Sequence, residues 1–185
     1  MRKLKYILAS VVLAAGFASC ETEPIDEKVK DDTLLVKPIL RFELDNKQTV
    51  VTDKVTSSIS LNNSLTISAR FSVLDQSDLN EETRYKPATL NITFNTLYTG
   101  NFPTVYTLET PVLLYSSATL SINNVGFYST NYAKVNQPAG AGNIIEMNEV
   151  GKYIDGNFDY ILYPQEGNNL QPIRLSVGEF HYIKY

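Results

Sequence analysis

The chain of 185 residues is long enough for one ordinary domain with a short additional segment. Its 43% hydrophobic content is too high for a wholly disordered protein, and it lacks the long apolar runs of a polytopic membrane protein. A single cysteine excludes an internal disulfide or a multi-cysteine zinc site, and a single histidine excludes a multi-histidine metal centre. The net charge of −4 argues against a nucleic-acid partner, because phosphate binding needs a concentrated basic surface.

The first twenty residues have the layout of a secretory signal. A basic segment comes first, residues 6–15 are apolar, and small residues then lead to Cys20. The basic residues are Arg2, Lys3 and Lys5. The apolar stretch is too short to span a bilayer comfortably. Residues 1–19 are therefore predicted to be a signal peptide.

The end of this signal, Ala18-Ser19-Cys20, resembles a bacterial lipobox, in which the cysteine thiol is diacylated and the chain is cut just before it. Phe17 stands where such motifs usually have Leu, Val or Ile. The resemblance implies lipid attachment at Cys20 and a lipid-anchored protein of the outer membrane, on its periplasmic or cell-surface face. Two alternatives stay open: an ordinary signal peptide with an incidental cysteine, and a short N-terminal anchor.

Residues 20–36 are predicted to be a flexible tether, because they contain six acids and a proline but few apolar groups. Acids directly after the cysteine resemble the surface-export signal of lipoproteins from Bacteroidota-type bacteria. The run Asp32-Thr33-Leu34 resembles the motif for periplasmic O-glycosylation in that group, which implies a possible modification at Thr33. A plain spacer is the alternative.

From about residue 38 onward, apolar residues recur with a period of two, which is typical of strands that bury one face. Clear examples are 40–44, 65–73 and 90–94, and Asn62-Asn63 predicts a two-residue hairpin before the second of these. Further strands are predicted at 104–109, 112–115, 117–125, 127–134, 142–149, 152–163 and 172–184. Residues 37–185 are therefore predicted to form one all-β domain, a single antiparallel β-sandwich, with a barrel as the alternative.

Three local features interrupt this pattern. Ser77 is a possible cap for a helical turn at 77–83, and residues 137–142 are predicted to be a loop. In the last strand Ile173, Leu175 and Val177 share one phase, whereas Phe180 and Tyr182 share the other. A β-bulge is therefore predicted at Gly178-Glu179.

The C-terminal part carries a second resemblance. Gly142-Asn143-Ile144, the run from Tyr153 to Phe158 and Val177-Gly178-Glu179-Phe180 resemble the ends of small Bacteroidota-type lipoproteins, which form an all-β family of unknown function. The resemblance implies an all-β fold and a cell-envelope location, and it implies no activity.

Few residues suggest catalysis. His181 is the sole histidine and lies in a predicted strand, so it is expected to be a structural residue rather than a triad base. Paired carboxylates for glycoside hydrolysis would be provided by Asp155 with Asp159, or by Glu146 with Glu149. Acids on the solvent-exposed face of a sheet also serve solubility. The chain is therefore predicted not to be an enzyme.

The run from Asp155 to Glu166 places oxygen ligands where a calcium loop has them. Asp155, Asn157 and Asp159 are also expected to lie along the outer face of one strand, about 7 Å apart, too far to converge on one ion. Tyr160 also stands where a calcium loop needs glycine. No metal or cofactor is expected.

Twelve tyrosines without a tryptophan are unusual, and those near the C-terminus could gather into a contact surface. These are Tyr153, Tyr163, Tyr182 and Tyr185. The alternative is that tyrosine simply occupies half-buried strand positions.

Together these patterns predict a lipid-anchored envelope lipoprotein with a non-catalytic binding or accessory role, whose partner is the membrane through its lipid and an envelope complex or a glycan. A structural or adhesive subunit is the alternative, indicated by an open sheet edge that accepts a strand. A hydrolase is the third class, indicated by a pocket with two facing carboxylates.

Replacing Cys20 by Ala tests the anchor. Cys20→Ala is expected to release the protein into the soluble fraction, because the acyl chains that hold it on the membrane are lost. Fractionation of cells with an antibody to the chain measures this. Unchanged retention in the membrane fraction would contradict lipid attachment at Cys20.

Overall fold

The computed structural model describes residues 36–75, 78–104, 114–134, 137–167 and 169–185. The signal segment, Cys20 and Thr33 lie outside these residues, as does all of the tether except Val36. Among the residues that are described, no helix is long and apolar enough to cross a membrane.

Eleven strands account for most of the described residues. They are β1 Ile39–Leu44, β2 Lys47–Val51, β3 Val55–Ile59, β4 Leu65–Leu74, β5 Tyr85–Phe94, β6 Gly100–Pro103, β7 Ser116–Ile122, β8 Gly126–Ser129, β9 Gly140–Asn148, β10 Tyr153–Pro164 and β11 Ile173–Lys184. A single 3-10 turn, Thr130–Tyr132, follows β8.

All pairings between the described strands are antiparallel, and they form two layers. Layer A has the order β2-β1-β11-β10-β9-β6, and layer B has the order β8-β7-β5-β4-β3. The end of β10 leaves layer A and pairs with β8, through Tyr163 and Pro164. The sheet formed by the described strands therefore folds over itself without closing, which confirms the predicted sandwich rather than the barrel.

The core lies between the layers and follows the predicted alternation. Leu40, Phe42 and Leu44 in β1 are buried, as are the corresponding residues at the start of β4 and in β5. Aromatic rings of the two layers contact each other. The ring centroids of Phe42 in layer A and Phe71 in layer B are 5.3 Å apart, and those of Phe180 in layer A and Phe94 in layer B are 5.7 Å apart. These edge-on and tilted contacts are preferred ring geometries and fix how the layers pack.

Strand β11 contains two bulges. Opposite Asp159 it has both Ser176 and Val177, and Val177 adopts a positive φ of 49°. The predicted bulge is therefore present, directly before Gly178 rather than at Gly178-Glu179.

The second bulge was not predicted. Opposite Asp155, β11 has both His181 and Tyr182, and Tyr182 has a φ of 56°. As a result Ile183, not Tyr182, takes the buried position in the core, so the predicted phase of Tyr182 is wrong.

A buried serine ties the layers together. The Ser116 hydroxyl at the start of β7 donates to the carbonyl of Phe102 at 2.7 Å, and it accepts hydrogen bonds from Tyr160 Oη at 2.9 Å and from the Gly142 amide at 3.2 Å. The Ser116 hydroxyl thus uses its one donor and both of its acceptor positions. Burial raises the pKa of the Tyr160 phenol, so this group stays protonated and able to donate.

Several local predictions differ from the structure. The predicted helical turn at 77–83 is present as one hydrogen-bonded turn at 80–84, in which the Thr83 and Arg84 amides donate to the Asn80 carbonyl. The predicted cap, Ser77, lies outside the described residues, and the side chains of Asp78 and Asn80 bind backbone amides instead. The strand predicted at 127–134 ends at Ser129, where the Ser129 hydroxyl caps the 3-10 turn. The predicted strands 104–109 and 112–115 fall mostly outside the described residues.

Two predicted connections also differ. The Asn62-Asn63 hairpin is present but its loop is longer, since Ser60 pairs with Ser64 and only Asn63 has a positive φ. The predicted loop 137–142 already enters β9 at Gly140. Strand formation is possible there because Gly142 lacks a side chain where Tyr160 and Phe94 pack against it.

The Ser116 contacts predict an asymmetric effect of two substitutions. Ser116→Ala leaves the Tyr160 hydroxyl and the Gly142 amide without their partner and is expected to lower the free energy of unfolding by about 1–3 kcal/mol. Tyr160→Phe removes one hydrogen bond and leaves two, so about 0.5–1.5 kcal/mol is expected. Urea denaturation measures both, with the outward-facing neighbour Ser117→Ala as control. Equal losses in the two core variants would contradict this arrangement.

Candidate functional site

The outer face of layer A carries a row of polar side chains that lie directly opposite one another. Strand register places Asn101 opposite Asn143, Asn143 opposite Asn157, and Asn157 opposite Glu179. Arg41 continues the row beyond Glu179. We call Asn101, Asn143 and Asn157 the amide row.

The amide row is open to ligands. None of its three side chains has a hydrogen-bond partner among the described residues. Neighbouring strands lie about 4.8 Å apart, so the row presents three amides at regular spacing. Each amide has a carbonyl that accepts and an NH₂ group that donates.

Small residues beside the row create a shallow depression. The residues that line it include Gly140, Ala141 and Gly142 of β9, together with Asp159 and Glu179. Gly142 faces inward, where Tyr160 and Phe94 occupy the space a side chain would need.

Three carboxylates on this face, those of Asp155, Asp159 and Glu179, are engaged. Asp159 lies 3.0 Å from Arg174, and this hydrogen-bonded ion pair raises the pKa of the guanidinium. Glu179 lies 3.5 Å from Arg41. The carboxylate of Asp155 accepts a hydrogen bond from the Tyr182 amide at 2.7 Å. These contacts hold the strands and the bulge in place.

His181 lies between two of these acids. Its Nδ1 is 3.6 Å from Asp155 and its Nε2 is 3.8 Å from Glu179, and its ring contacts the neighbouring Tyr182 ring. A triad base has one ring nitrogen on a nucleophile. Both nitrogens of His181 face carboxylates, so neither is placed on a nucleophile.

The residues considered for paired carboxylates and for calcium are spread apart. Asp155, Asn157 and Asp159 lie along β10, as predicted, and Glu166 is exposed in the loop after that strand. Glu146 is exposed opposite Asp155, whereas Glu149 lies in the turn after β9. Within the described ranges no group of three or more His, Cys, Asp or Glu side chains is arranged to hold a metal ion.

The C-terminal tyrosines gather only in part. The Tyr153 and Tyr182 rings lie 5.4 Å apart, and Tyr185 reaches the same end of the sheet, where its hydroxyl donates to the carbonyl of Asn148 at 3.4 Å. Tyr163 lies near the opposite end of β10 and donates to the carbonyl of Pro138 at 2.7 Å. Three of the four tyrosines thus share one end of layer A.

The strands at the sheet edges are short. Strands β2 and β3 have five residues each, and β6 has four. Short edges with charged neighbours such as Lys47 and Lys54 are typical of sheets that avoid strand addition. The edges of the described sheet therefore give no specific support to the adhesive alternative.

Sequence reasoning missed the amide row. Each asparagine occupies an outward position in a strand, which is an ordinary place for a polar residue. Only the register of β6, β9 and β10 reveals that the three are neighbours, and β6 was not predicted.

No protein-family model, curated protein or solved structure matches this chain.

The Asp155 contact to the second bulge predicts a graded loss of stability. Asp155→Ala leaves the Tyr182 amide without its acceptor and is expected to lower the free energy of unfolding by about 1–3 kcal/mol. Asp155→Asn keeps an acceptor oxygen and is expected to cost less. Asn157→Ala, on the same strand face, is the matched control and is expected to stay within about 0.5 kcal/mol. Chemical denaturation measures all three, and an Asp155→Ala variant as stable as the control would refute the contact.

Proposed function

We propose that this chain is a lipid-anchored lipoprotein of the cell envelope whose β-sandwich has a non-catalytic binding or accessory role. The anchor is Cys20, the tether is residues 20–36, and the outer face of layer A is the binding surface. The outer membrane is the proposed location, with Thr33 as a site of O-glycosylation in the tether.

One observation carries the binding role: the open polar face of layer A contains amides without partners next to carboxylates that already have partners. A hydrolase that uses two carboxylates needs them free to exchange protons with a substrate. Here Asp159 and Glu179 are paired with arginines, and Asp155 holds the backbone of β11. The three amides of the amide row, which are left for a ligand, are neutral hydrogen-bonding groups and suit recognition rather than proton transfer.

The rigidity of the face also supports binding. The backbone of β6 and β9 under the amide row is fixed by Ser116, through the Phe102 carbonyl and the Gly142 amide. A preformed surface loses little conformational entropy when it binds. The polar, nearly planar surface fits an envelope protein or a glycan chain better than a small apolar ligand, which prefers an enclosed pocket.

Replacing the amide row tests this function. Asn101, Asn143 and Asn157 are changed together to Ala in the intact lipidated chain, which is then crosslinked in its native membrane and purified. The wild type is expected to recover a bound protein or glycan, and the triple variant at least about tenfold less, because three hydrogen bonds of about 1 kcal/mol each are lost.

The matched control is Ser58→Ala, an exposed position on β3 in layer B, which is expected to recover as much as the wild type. Equal unfolding midpoints show that the variants are folded. Recovery of nothing by the wild type, or equal recovery by the triple variant, would contradict binding through this face.

A further inference from the structure

A second depression lies on the outer face of layer B, across β3, β4 and β5. Its polar lining includes Lys54, Thr56, Ser68, Arg70, Thr89 and Asn91, and its apolar lining is Phe71, Pro87 and Ala88. The polar groups are cations, hydroxyls and one amide, and no Asp or Glu is among the residues that line the depression. In a chain with a net charge of −4, a depression with this composition is a local region of positive charge.

The two cations emerge side by side. The Arg70 amide donates to the carbonyl of Lys54 at 3.1 Å, so the two residues oppose each other on neighbouring strands. Neither forms an ion pair with any residue that the structure describes, although Asp53, next to Lys54 in the chain, is bound to Lys37 at 2.8 Å. The nearest acid in sequence is therefore already neutralised by another lysine.

Neutral hydrogen-bonding groups lie beside the cations. The Ser68 hydroxyl donates to Asn91 Oδ1 at 2.7 Å, and Asn91 Nδ2 donates to the Thr119 hydroxyl at 3.4 Å, so the amide is held in one orientation. Thr56 lies opposite Ser68, and Thr89 lies opposite Arg70. The hydroxyls of Thr56 and Thr89 have no partner among the described residues, and each can donate and accept.

We infer that this depression binds an acidic oligosaccharide, whose anionic group lies between Lys54 and Arg70 and whose hydroxyls contact Thr56, Ser68 and Asn91. A guanidinium matches the planar oxygens of a carboxylate or the oxygens of a sulfate with two parallel hydrogen bonds. Lys54 and Arg70 lie opposite each other on neighbouring strands, and Thr56, Ser68 and Asn91 lie opposite one another two residues further along the same sheet face. Successive outward residues on a strand lie about 6.8 Å apart, so the distance between the cations and the neutral groups is close to the length of one sugar ring.

The neutral groups point to a sugar as the carrier of the charge. A bare phosphate ion would use the two cations alone. A lipid surface would need exposed apolar side chains next to the cations, and Pro87 is the one exposed apolar residue among those that line the depression, because Phe71 packs against the core and Ala88 is buried. The hydroxyls and the fixed Asn91 amide instead match the closely spaced hydroxyls of a saccharide. This inference concerns layer B and stands independently of the amide row on layer A.

Calorimetric titration of the full chain, purified in neutral detergent, tests the site with a heparin-derived hexasaccharide and with uncharged cellohexaose. The heparin hexasaccharide is expected to bind and cellohexaose to bind far more weakly. Arg70→Ala and Lys54→Ala are each expected to raise the Kd about tenfold or more, because a hydrogen bond to a charged group is lost. Asn91→Asp keeps the shape of the amide, adds a negative charge and is expected to weaken binding as well.

Lys47→Ala, an exposed lysine on β2, is the matched control and is expected to leave the Kd unchanged. Absence of binding, equal affinity of Arg70→Ala and wild type, or equal binding of cellohexaose would each overturn the site. Arg70-dependent flotation of the unlipidated Cys20→Ala chain with phosphatidylglycerol vesicles, without hexasaccharide binding, would overturn it in favour of a membrane surface. Replacing the amide row on layer A is expected to leave hexasaccharide binding unchanged. A negative result for this site therefore leaves the proposed function untouched, and a negative result for the amide row leaves this site untouched.

Discussion

The Ser116 hydroxyl is the contact on which the arrangement of the sandwich depends. It joins β7 of layer B to three strands of layer A through the Phe102 carbonyl, the Gly142 amide and the Tyr160 hydroxyl. Because the group is buried, each of these polar atoms would lose its hydrogen bond without gaining water if the layers moved apart. Phe102 and Gly142 are also the chain neighbours of Asn101 and Asn143, so the contact that holds the core also positions the outer surface.

Glycine positions and bulges complete this constraint. Gly156 and Gly178 face inward, where Phe180 and Phe158 respectively occupy the space that a side chain would fill. The bulges at Val177 and Tyr182 then shift β11 so that Leu175, Phe180 and Ile183 all reach the core. Tyr182 has a positive φ, and the Asp155 carboxylate accepts the hydrogen bond from its amide that the ladder does not use.

The sequence predicted what depends on neighbours along the chain. The alternation of apolar and polar residues in 40–44, 65–69 and 90–94 identified the buried residues correctly, because a strand with one buried and one solvent-exposed face has a period of two residues. It did not predict β2 or β6, which have few residues and mixed patterns, nor the bulge at Tyr182, which depends on a carboxylate 27 residues away. The amide row and the Lys54–Arg70 pair were also missed, because each is assembled by strand register and has no local signature.

Native-state hydrogen exchange at the Gly142 amide tests most directly whether the Ser116 contacts hold the binding face rigid. If they do, this amide exchanges only when the whole domain unfolds, so its exchange free energy equals the free energy of global unfolding and falls with it in denaturant. Exchange of Gly142 with a much smaller free energy that is insensitive to denaturant would mean that β9 opens locally. That result would contradict the account of layer A as a fixed surface built on a buried serine.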